Sequence, residues 1–336
     1  MRQGRINREG IKMFYKNVLN AIGNTPLVRV PFNSPATILA KLEYLNPGGS
    51  MKDRSALYMI EQAEQDGRLK PGGTIIDASS GNHGITLAMI GAAKGYKVII
   101  VISEKCSQEK YKTLKAYGAE VVVCPSTKFI DDSQSYQMRA QELHRQMPGS
   151  FMPNQYYNKE NREGHYNNLG PEIWKQTEGK ITHFFAGTGT GGTVSGVGQY
   201  LKEQNPAIKV YAIDSVNSLR ATQGNPKPYS IEGIGVDFYN EILNYQVIDE
   251  FLNVTDQNSI EWLGTLAHRY GLLVGPSSGA VVSGLMQRID TLKEDDLAVI
   301  IFGDSGRAYL SKNFYGEYQD ETVVQPLKHT VSSVEL

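Results

Sequence analysis

Thr74-Ile75-Ile76-Asp77-Ala78-Ser79-Ser80-Gly81-Asn82-His83-Gly84 passes from a β-branched run into a turn of small residues, and then into a helical pattern that continues to position 94. A second apolar run follows at 97–102, so the stretch reads strand, turn, helix, strand. The same alternation extends outward in both directions. Residues 120–124, 183–186, 209–214 and 297–302 read as further buried strands, and 54–65, 108–117, 133–146, 193–203, 259–270 and 278–289 as helices. Strands that are apolar along their whole length and separated by helices imply parallel sheets covered on both faces. The chain is therefore expected to be an α/β protein of two domains, each an open, twisted, mainly parallel sheet with helices on both faces. Residues 54–154 carry a strand-helix-strand-helix-strand series able to close as a smaller domain. Residues 1–53, with short strands near 27–30 and 37–43, and 155–320 are expected to form the larger one, leaving 321–336 as a polar tail.

The 336 residues suit two domains with a cleft between them. Lys plus Arg number 34 against 35 Asp plus Glu, a balance that recruits neither nucleic acid nor an anionic membrane. No window approaches about 18 uninterrupted apolar residues. Arg2, Arg5, Arg8 and Lys12 have no apolar stretch behind them, so no secretory signal is read and a cytoplasmic location is expected. The two cysteines, Cys106 and Cys124, lie in or beside apolar segments without His or Cys at metal-ligand spacing. Both are read as buried, reduced, structural thiols, and no metal site is expected.

In open parallel sheets, ligands bind beyond the carboxyl ends of strands. Four turns rich in glycine fall at such places. The first is Asp77 to Gly84, quoted above, whose helix start offers unpaired N–H groups to a carboxylate or a ring hydroxyl. The second is Gly187-Thr188-Gly189-Thr190-Gly191-Gly192-Thr193. Its glycines let backbone amides approach phosphate oxygens, with the Thr190 and Thr193 hydroxyls as extra donors. It lacks the Lys-Ser/Thr ending of a nucleotide loop and the spacing of a dinucleotide fingerprint, which favours a lone phosphate monoester. The third is Gly275-Pro276-Ser277-Ser278-Gly279-Ala280, and the fourth Glu232-Gly233-Ile234-Gly235-Val236-Asp237-Phe238. A single lysine completes the set. Asn46-Pro47-Gly48-Gly49-Ser50-Met51-Lys52 hands Lys52 to the first turn of a helix, where desolvation and helix-start potential make an amine a useful nucleophile toward a carbonyl.

With these residues in this order, the sequence resembles the fold type II pyridoxal-phosphate enzymes of the cysteine synthase and cystathionine β-synthase family, over about residues 17–314. The resemblance implies a fold similar to the tryptophan synthase β chain, with pyridoxal 5'-phosphate as cofactor. Lys52 would attach the cofactor, Asn82 would bond its ring hydroxyl, Gly189, Thr190, Gly191, Gly192 and Thr193 would hold its phosphate, and Ser277 would face its pyridine nitrogen. Ser79, Ser80, Gly81 and His83, with Gln155 and Tyr156, would hold the substrate carboxylate. Glu232 and Gly233 belong to a segment similar to that of the cystathionine β-synthase branch, and Glu232 would pair with the amino group of an incoming amino-acid thiol. The implied reaction is β-replacement on L-serine or an O-activated L-serine through an α-aminoacrylate, with L-homocysteine as acceptor, giving L-cystathionine. Cysteine synthesis from O-acetylserine or O-phosphoserine and sulfide is the alternative, followed by serine/threonine dehydration and by a cofactor-binding regulatory role. Two departures stand out. His83 replaces the family's usual threonine, as in the dehydratases, and Pro276 takes a place often held by glycine or an aliphatic residue. The resemblance also implies a homodimer acting on small amino acids, without the haem segment or regulatory domains of animal relatives.

Overall fold

The computed structural model describes residues 14–79, 81–127 and 131–316. Ser80 and the tail expected at 321–336 lie outside the described residues. Nine strands are described: β1 (Leu27–Arg29), β2 (Thr37–Leu42), β3 (Thr74–Ala78), β4 (Lys97–Ser103), β5 (Glu120–Cys124), β6 (His183–Gly187), β7 (Lys209–Ser215), β8 (Glu250–Val254) and β9 (Leu297–Phe302). They form a six-stranded sheet in the order β1-β2-β9-β6-β7-β8 and a three-stranded sheet in the order β3-β4-β5. Only the β1–β2 pair is antiparallel; all the other pairings are parallel. Phe151 bridges Ile75 in parallel and extends the smaller sheet by one residue.

Along these strands the side chains point to the two faces in turn, with the two-residue period of a pleat. In the smaller sheet Ile75, Ile100 and Ile102 join one apolar cluster, while Ile76, Ile99 and Val101 join another on the opposite face. In the larger sheet Phe185, Ile300 and Phe302 face one core and Phe184, Val299 and Ile301 the other. With both faces covered, most positions are apolar, which is why these strands read as hydrophobic runs.

The covering helices are α1 (Lys52–Gln65), α2 (Asn82–Lys94), α3 (Gln108–Ala116), α4 (Tyr136–Gln146), α5 (Glu160–Gly164), α6 (Gly170–Gln176), α7 (Gly192–Gln204), α8 (Asp256–Tyr270) and α9 (Pro276–Met286). Helix α4 starts three residues later than expected because Ser135 caps it, accepting from the Met138 N–H at 3.1 Å. Helix α9 ends at Met286, and Ile289–Thr291 winds as a separate 3-10 turn. Strand β8 and the helical stretch from α5 through a π turn (His165–Leu169) to α6 were not legible in the sequence. Leu19 and Ile22 pack in the core of the smaller sheet, although they precede its strands by more than fifty residues. Cys124 is buried as expected; Cys106 is only half-buried, because it sits in the turn before α3. Among the described residues no helix is long and apolar enough to cross a membrane.

Candidate active site

Strands β2, β9 and β6 run parallel and adjacent, so their carboxyl ends open toward one side of the larger sheet. Each end leads into a part of the candidate site. Beyond β2, Gly49 takes a left-handed φ of +85°, a conformation natural to glycine. Ser50 then bridges Asp304, and the Met51 N–H donates to the Gly303 carbonyl at 2.8 Å. The start of α1 is thereby fastened to the end of β9. On its other side the Asp53 carboxylate accepts from the Gly48 N–H and from the Thr86 hydroxyl of α2, both at 2.6 Å. Between these ties stands Lys52, whose amine has no hydrogen-bond or ion-pair partner among the described residues. Burial pushes it down to about 8, against the opposing pull of the Asp304 charge.

Beyond β6, Gly191, which has no side chain to cap with, turns the chain with φ +82° into α7. Thr190 Oγ1 accepts from Asn161 Nδ2 at 3.0 Å and from the Gly192 N–H at 3.3 Å, and Thr193 Oγ1 lies 3.1 Å from His165 Nε2. Gly189 runs against the loop that follows β7: a Cβ there would come within 2.8 Å of the Gly233 carbonyl oxygen. Gly233, at φ +94°, sits in turn beside Ser277. Ser277 lies in the first turn of α9, preceded by Pro276, a position where a missing N–H removes no helical bond. The proline departure thus suits its place.

Opposite these loops, α2 begins after Gly81, which has no side chain to cap with. Ser79 Oγ accepts from the Gly84 N–H at 3.1 Å, and Asn82 Nδ2 donates to Asp304 Oδ2 at 2.6 Å. His83 is buried 3.7 Å from Asp77, and neither ring nitrogen has a hydrogen-bond partner. Burial, with the Lys52 charge, pushes His83 down to about 3, so the ring is neutral near pH 7; burial pushes Asp77 up to about 7. Gln155 Oε1 is buried without a partner, while its backbone carbonyl accepts from Asn161 Nδ2 at 2.7 Å. Tyr156 packs edge-on against Phe238 with ring centroids 4.9 Å apart. Glu232 is ion-paired with Lys110 of α3 and, at 2.5 Å, with Lys312. Burial opposes its ionisation, but the two lysines outweigh that and hold its carboxyl below the usual range.

The structure thus gathers Lys52, Asn82, Ser277, Gly233 and the Gly189 to Thr193 loop around Gly303 and Asp304, and links Gln155 to Thr190 through Asn161. Glu232 stands on a junction with two lysines instead of standing free. Sequence reading gave no site role to Asp304, Asn161 or His165. For Asp304 a signal existed: Gly303-Asp304-Ser305-Gly306 is a fifth turn directly after an apolar strand. Asn161 and His165 lie in the stretch whose helices were not recognised. Among the described residues no group of His, Cys, Asp and Glu is arranged to hold a metal ion.

Comparison with known proteins shows the family. The sequence pattern of the family described as "Pyridoxal-phosphate dependent enzyme" matches residues 18–304. A cystathionine beta-synthase of Apis mellifera is 43% identical over 315 residues, covering 91% of this chain and 62% of that protein. The chain therefore spans less than two thirds of that relative's length. A cysteine synthase of Staphylococcus aureus is 41% identical over 303 residues, covering 89% of this chain and 96% of the other. Among solved structures, O-acetylserine dependent cystathionine beta-synthase from Helicobacter pylori superposes with a TM-score of 0.83 at 36% identity, over 90% of this chain and 99% of that one. O-ureido-L-serine synthase does so with a TM-score of 0.86 at 32% identity, over 92% and 98%. The strand ends, the lysine and the shared sequence place this chain in the family of pyridoxal-phosphate dependent enzymes.

Proposed function

We propose that this chain catalyses β-replacement on L-serine or an O-activated L-serine, with L-homocysteine as acceptor and L-cystathionine as product. The observation that carries the reading is Lys52: a partly buried amine without a partner, held near neutral pKa where three parallel strand ends meet. The residues around it fit pyridoxal 5'-phosphate. The N-terminus of α7, entered through a glycine, and the close approach at Gly189 suit a phosphate, and Asn82 has a second N–H to offer a ring hydroxyl. When bound, the cofactor supplies an electron sink for charge released at the substrate Cα.

The chain's own groups then divide the work. Lys52 holds the cofactor at rest and, once freed, takes the Cα proton, as an amine with a pKa near 8 can do at neutral pH. Ser277 offers the ring nitrogen a neutral hydroxyl, which does not stabilise a charged ring as a carboxylate would. Ser79, Gly81 and neutral His83 would offer N–H and O–H donors to the substrate carboxylate, joined by Gln155, whose side-chain oxygen is buried without a partner. Glu232 with Lys110 and Lys312 presents charges of both signs, a match for the ammonium and carboxylate of an amino-acid thiol but not needed by sulfide. An acceptor of that kind would displace one lysine from Glu232. We further infer that residues 54–154 move as a smaller domain and that the protein works as a homodimer.

The sulfide reading is favoured by one observation, the 41% identity to a cysteine synthase over nearly the whole of that protein. The test supplies the cofactor-loaded protein with L-serine, O-acetylserine or O-phosphoserine, and with homocysteine or sulfide, and identifies the amino acid formed. Cystathionine is expected. Cysteine from sulfide with no cystathionine would transfer the assignment to cysteine synthesis, and pyruvate formed from serine without a thiol would overturn replacement altogether.

A further inference from the structure

The carboxylate of Asp304, just beyond β9, is used by none of the roles above. It is buried, and its backbone is bridged to Ser50, two residues before Lys52. Oδ2 accepts from Asn82 Nδ2 at 2.6 Å and from the Tyr309 hydroxyl at 2.5 Å, whereas Oδ1 is buried with no partner. A buried carboxylate with an oxygen left over is costly, and folding alone does not call for one.

Its chemistry has a specific consequence for Asn82. A carboxamide can exchange the places of its oxygen and nitrogen with almost no change of shape, so its direction must be set by its neighbours. Burial raises the Asp304 carboxyl, while the Tyr309 hydroxyl, the Lys110 charge and Asn82 favour its ionised form; an ionised carboxylate only accepts, so Asn82 turns its NH2 group toward it. One N–H is consumed there, and the second remains to donate to an anionic oxygen. Asp304 is also the charged group whose field acts on Lys52. It therefore bonds Asn82 directly and acts on Lys52 through its charge alone.

We propose that Asp304 is a positioning residue for the cofactor: by accepting one N–H of Asn82 it fixes the other as a donor to the ring hydroxyl, and Tyr309 holds the carboxylate in place for that purpose. The inference rests on the reading that Asn82 contacts the ring hydroxyl. In the variant Asp304→Asn, residue 304 can donate as well as accept, and Asn82 is free to turn its oxygen inward.

The experiment dialyses the full-length holoprotein against graded pyridoxal 5'-phosphate and reads bound cofactor, with its band position, from visible absorption. Asp304→Asn is expected to raise the dissociation constant by about tenfold, the loss of one charge-assisted hydrogen bond, and to shift the visible band. Asn82→Ala should do the same. On the Asn82→Ala background, Asp304→Asn should add nothing further, because its effect passes through Asn82. A dissociation constant within about twofold of the parent for Asp304→Asn, or an undiminished penalty on the Asn82→Ala background, would overturn the proposal. If Asn82→Ala alone binds the cofactor as the parent does, the contact assigned to Asn82 falls and this inference falls with it. Thermal midpoints of the unloaded proteins report on folding. Should Asp304→Asn not fold, Tyr309→Phe carries the test, with a smaller loss expected in the same direction and the same dependence on Asn82; no loss there would be equally fatal.

Discussion

Replacing Glu172 by Gln takes one charge and almost no volume from the buried network beneath α1. Glu172 Oε1 accepts from Lys41 Nζ at 2.5 Å, Arg54 Nη2 at 2.9 Å and the Thr25 N–H at 3.0 Å, and Oε2 from Arg54 Nη1 at 2.8 Å and the Asn24 N–H at 2.9 Å. Arg54 also grips buried Glu43 through Nε and Nη2. Burial disfavours the charge on Glu172, but Arg54 and Lys41 outweigh it and hold the group at about 2 against an ordinary value of 4.5. A shift of that size corresponds to roughly 3 kcal/mol of stability. Because the folded value is the lower one, this contribution is fully present above the unfolded pKa, and it disappears as pH falls through the folded value. About half should remain near pH 3.

Glu172→Gln should therefore lower the unfolding free energy by about 3 kcal/mol at pH 7, and the gap between parent and variant should narrow steadily below about pH 4.5. One relaxation limits the damage. Burial already pushes the Lys41 ammonium below its ordinary range, so a Lys41 that has lost its carboxylate can shed its proton instead of remaining as an unpaired buried charge. Urea unfolding at pH 7, 4.5 and 3 measures the effect. A difference under about 1 kcal/mol at pH 7, or one that stays constant down to pH 3, would refute the reasoning. Arg54 lies two residues after Lys52 on α1, so slower cofactor uptake by the variant is expected alongside the loss of stability.

Only the neutral Lys52 amine attacks a carbonyl, so uptake of pyridoxal 5'-phosphate by cofactor-free protein should rise with pH through a midpoint near 8; a midpoint at the ordinary lysine value would show that the amine is not desolvated. Gly189→Ala drives a methyl group into the Gly233 backbone, where no flexible side chain can yield. A weakening of cofactor binding by about 1–3 kcal/mol is expected, read by dialysis, and binding equal to the parent's would remove Gly189 from the phosphate site. His83→Thr keeps a hydroxyl donor at the start of α2, whereas His83→Ala removes the donor altogether. Steady-state kinetics should show KM for the amino-acid donor raised in the alanine variant, with kcat changed less in the threonine one; a KM unaffected by both would take His83 out of the substrate loop.

The sheets were legible because both of their faces are buried. Strands such as β4 and β9 leave an unbroken run of Val and Ile, and the small-residue turns at their ends mark where helices begin. Strand β8 was not legible, since it lies at the sheet edge and reads Glu-Phe-Leu-Asn-Val, with Asn253 exposed. The stretch through α5 and α6 was missed for a different reason: Gly164 and Gly170 interrupt it and its middle turn is π-wound, so no 3.6-residue period survives. The glycines of the site announced themselves because close approach demands them. The turn that carries Asp304 could be read after β9, but the part its carboxylate plays could not, because that depends on Asn82, 222 positions away in the chain. Glu232 shows the same limit from the other side. Its segment was conspicuous, yet no spacing rule brings Lys110 and Lys312 onto it.

The bonds that join the two sheets on the side of the site are polar. Asn82 reaches Asp304, Thr86 reaches Asp53, and Lys110 reaches Glu232, whereas each sheet keeps apolar clusters of its own. A polar tie of this kind contributes about 0.5–1.5 kcal/mol net, because water replaces the lost partner when it opens. Burying a single large aliphatic side chain contributes about 1.5–3 kcal/mol, and each core contains many. Separation at the site therefore costs far less than disruption of either sheet, which is the ground for the motion proposed above, with Leu19 and Ile22 carried along in the core of the smaller sheet. Asn82 and Asp304 would part in that motion. The contact proposed to complete the cofactor's surroundings is thus also one of the contacts that closes the cleft, and cofactor binding through Asn82 draws its free energy partly from the closed arrangement.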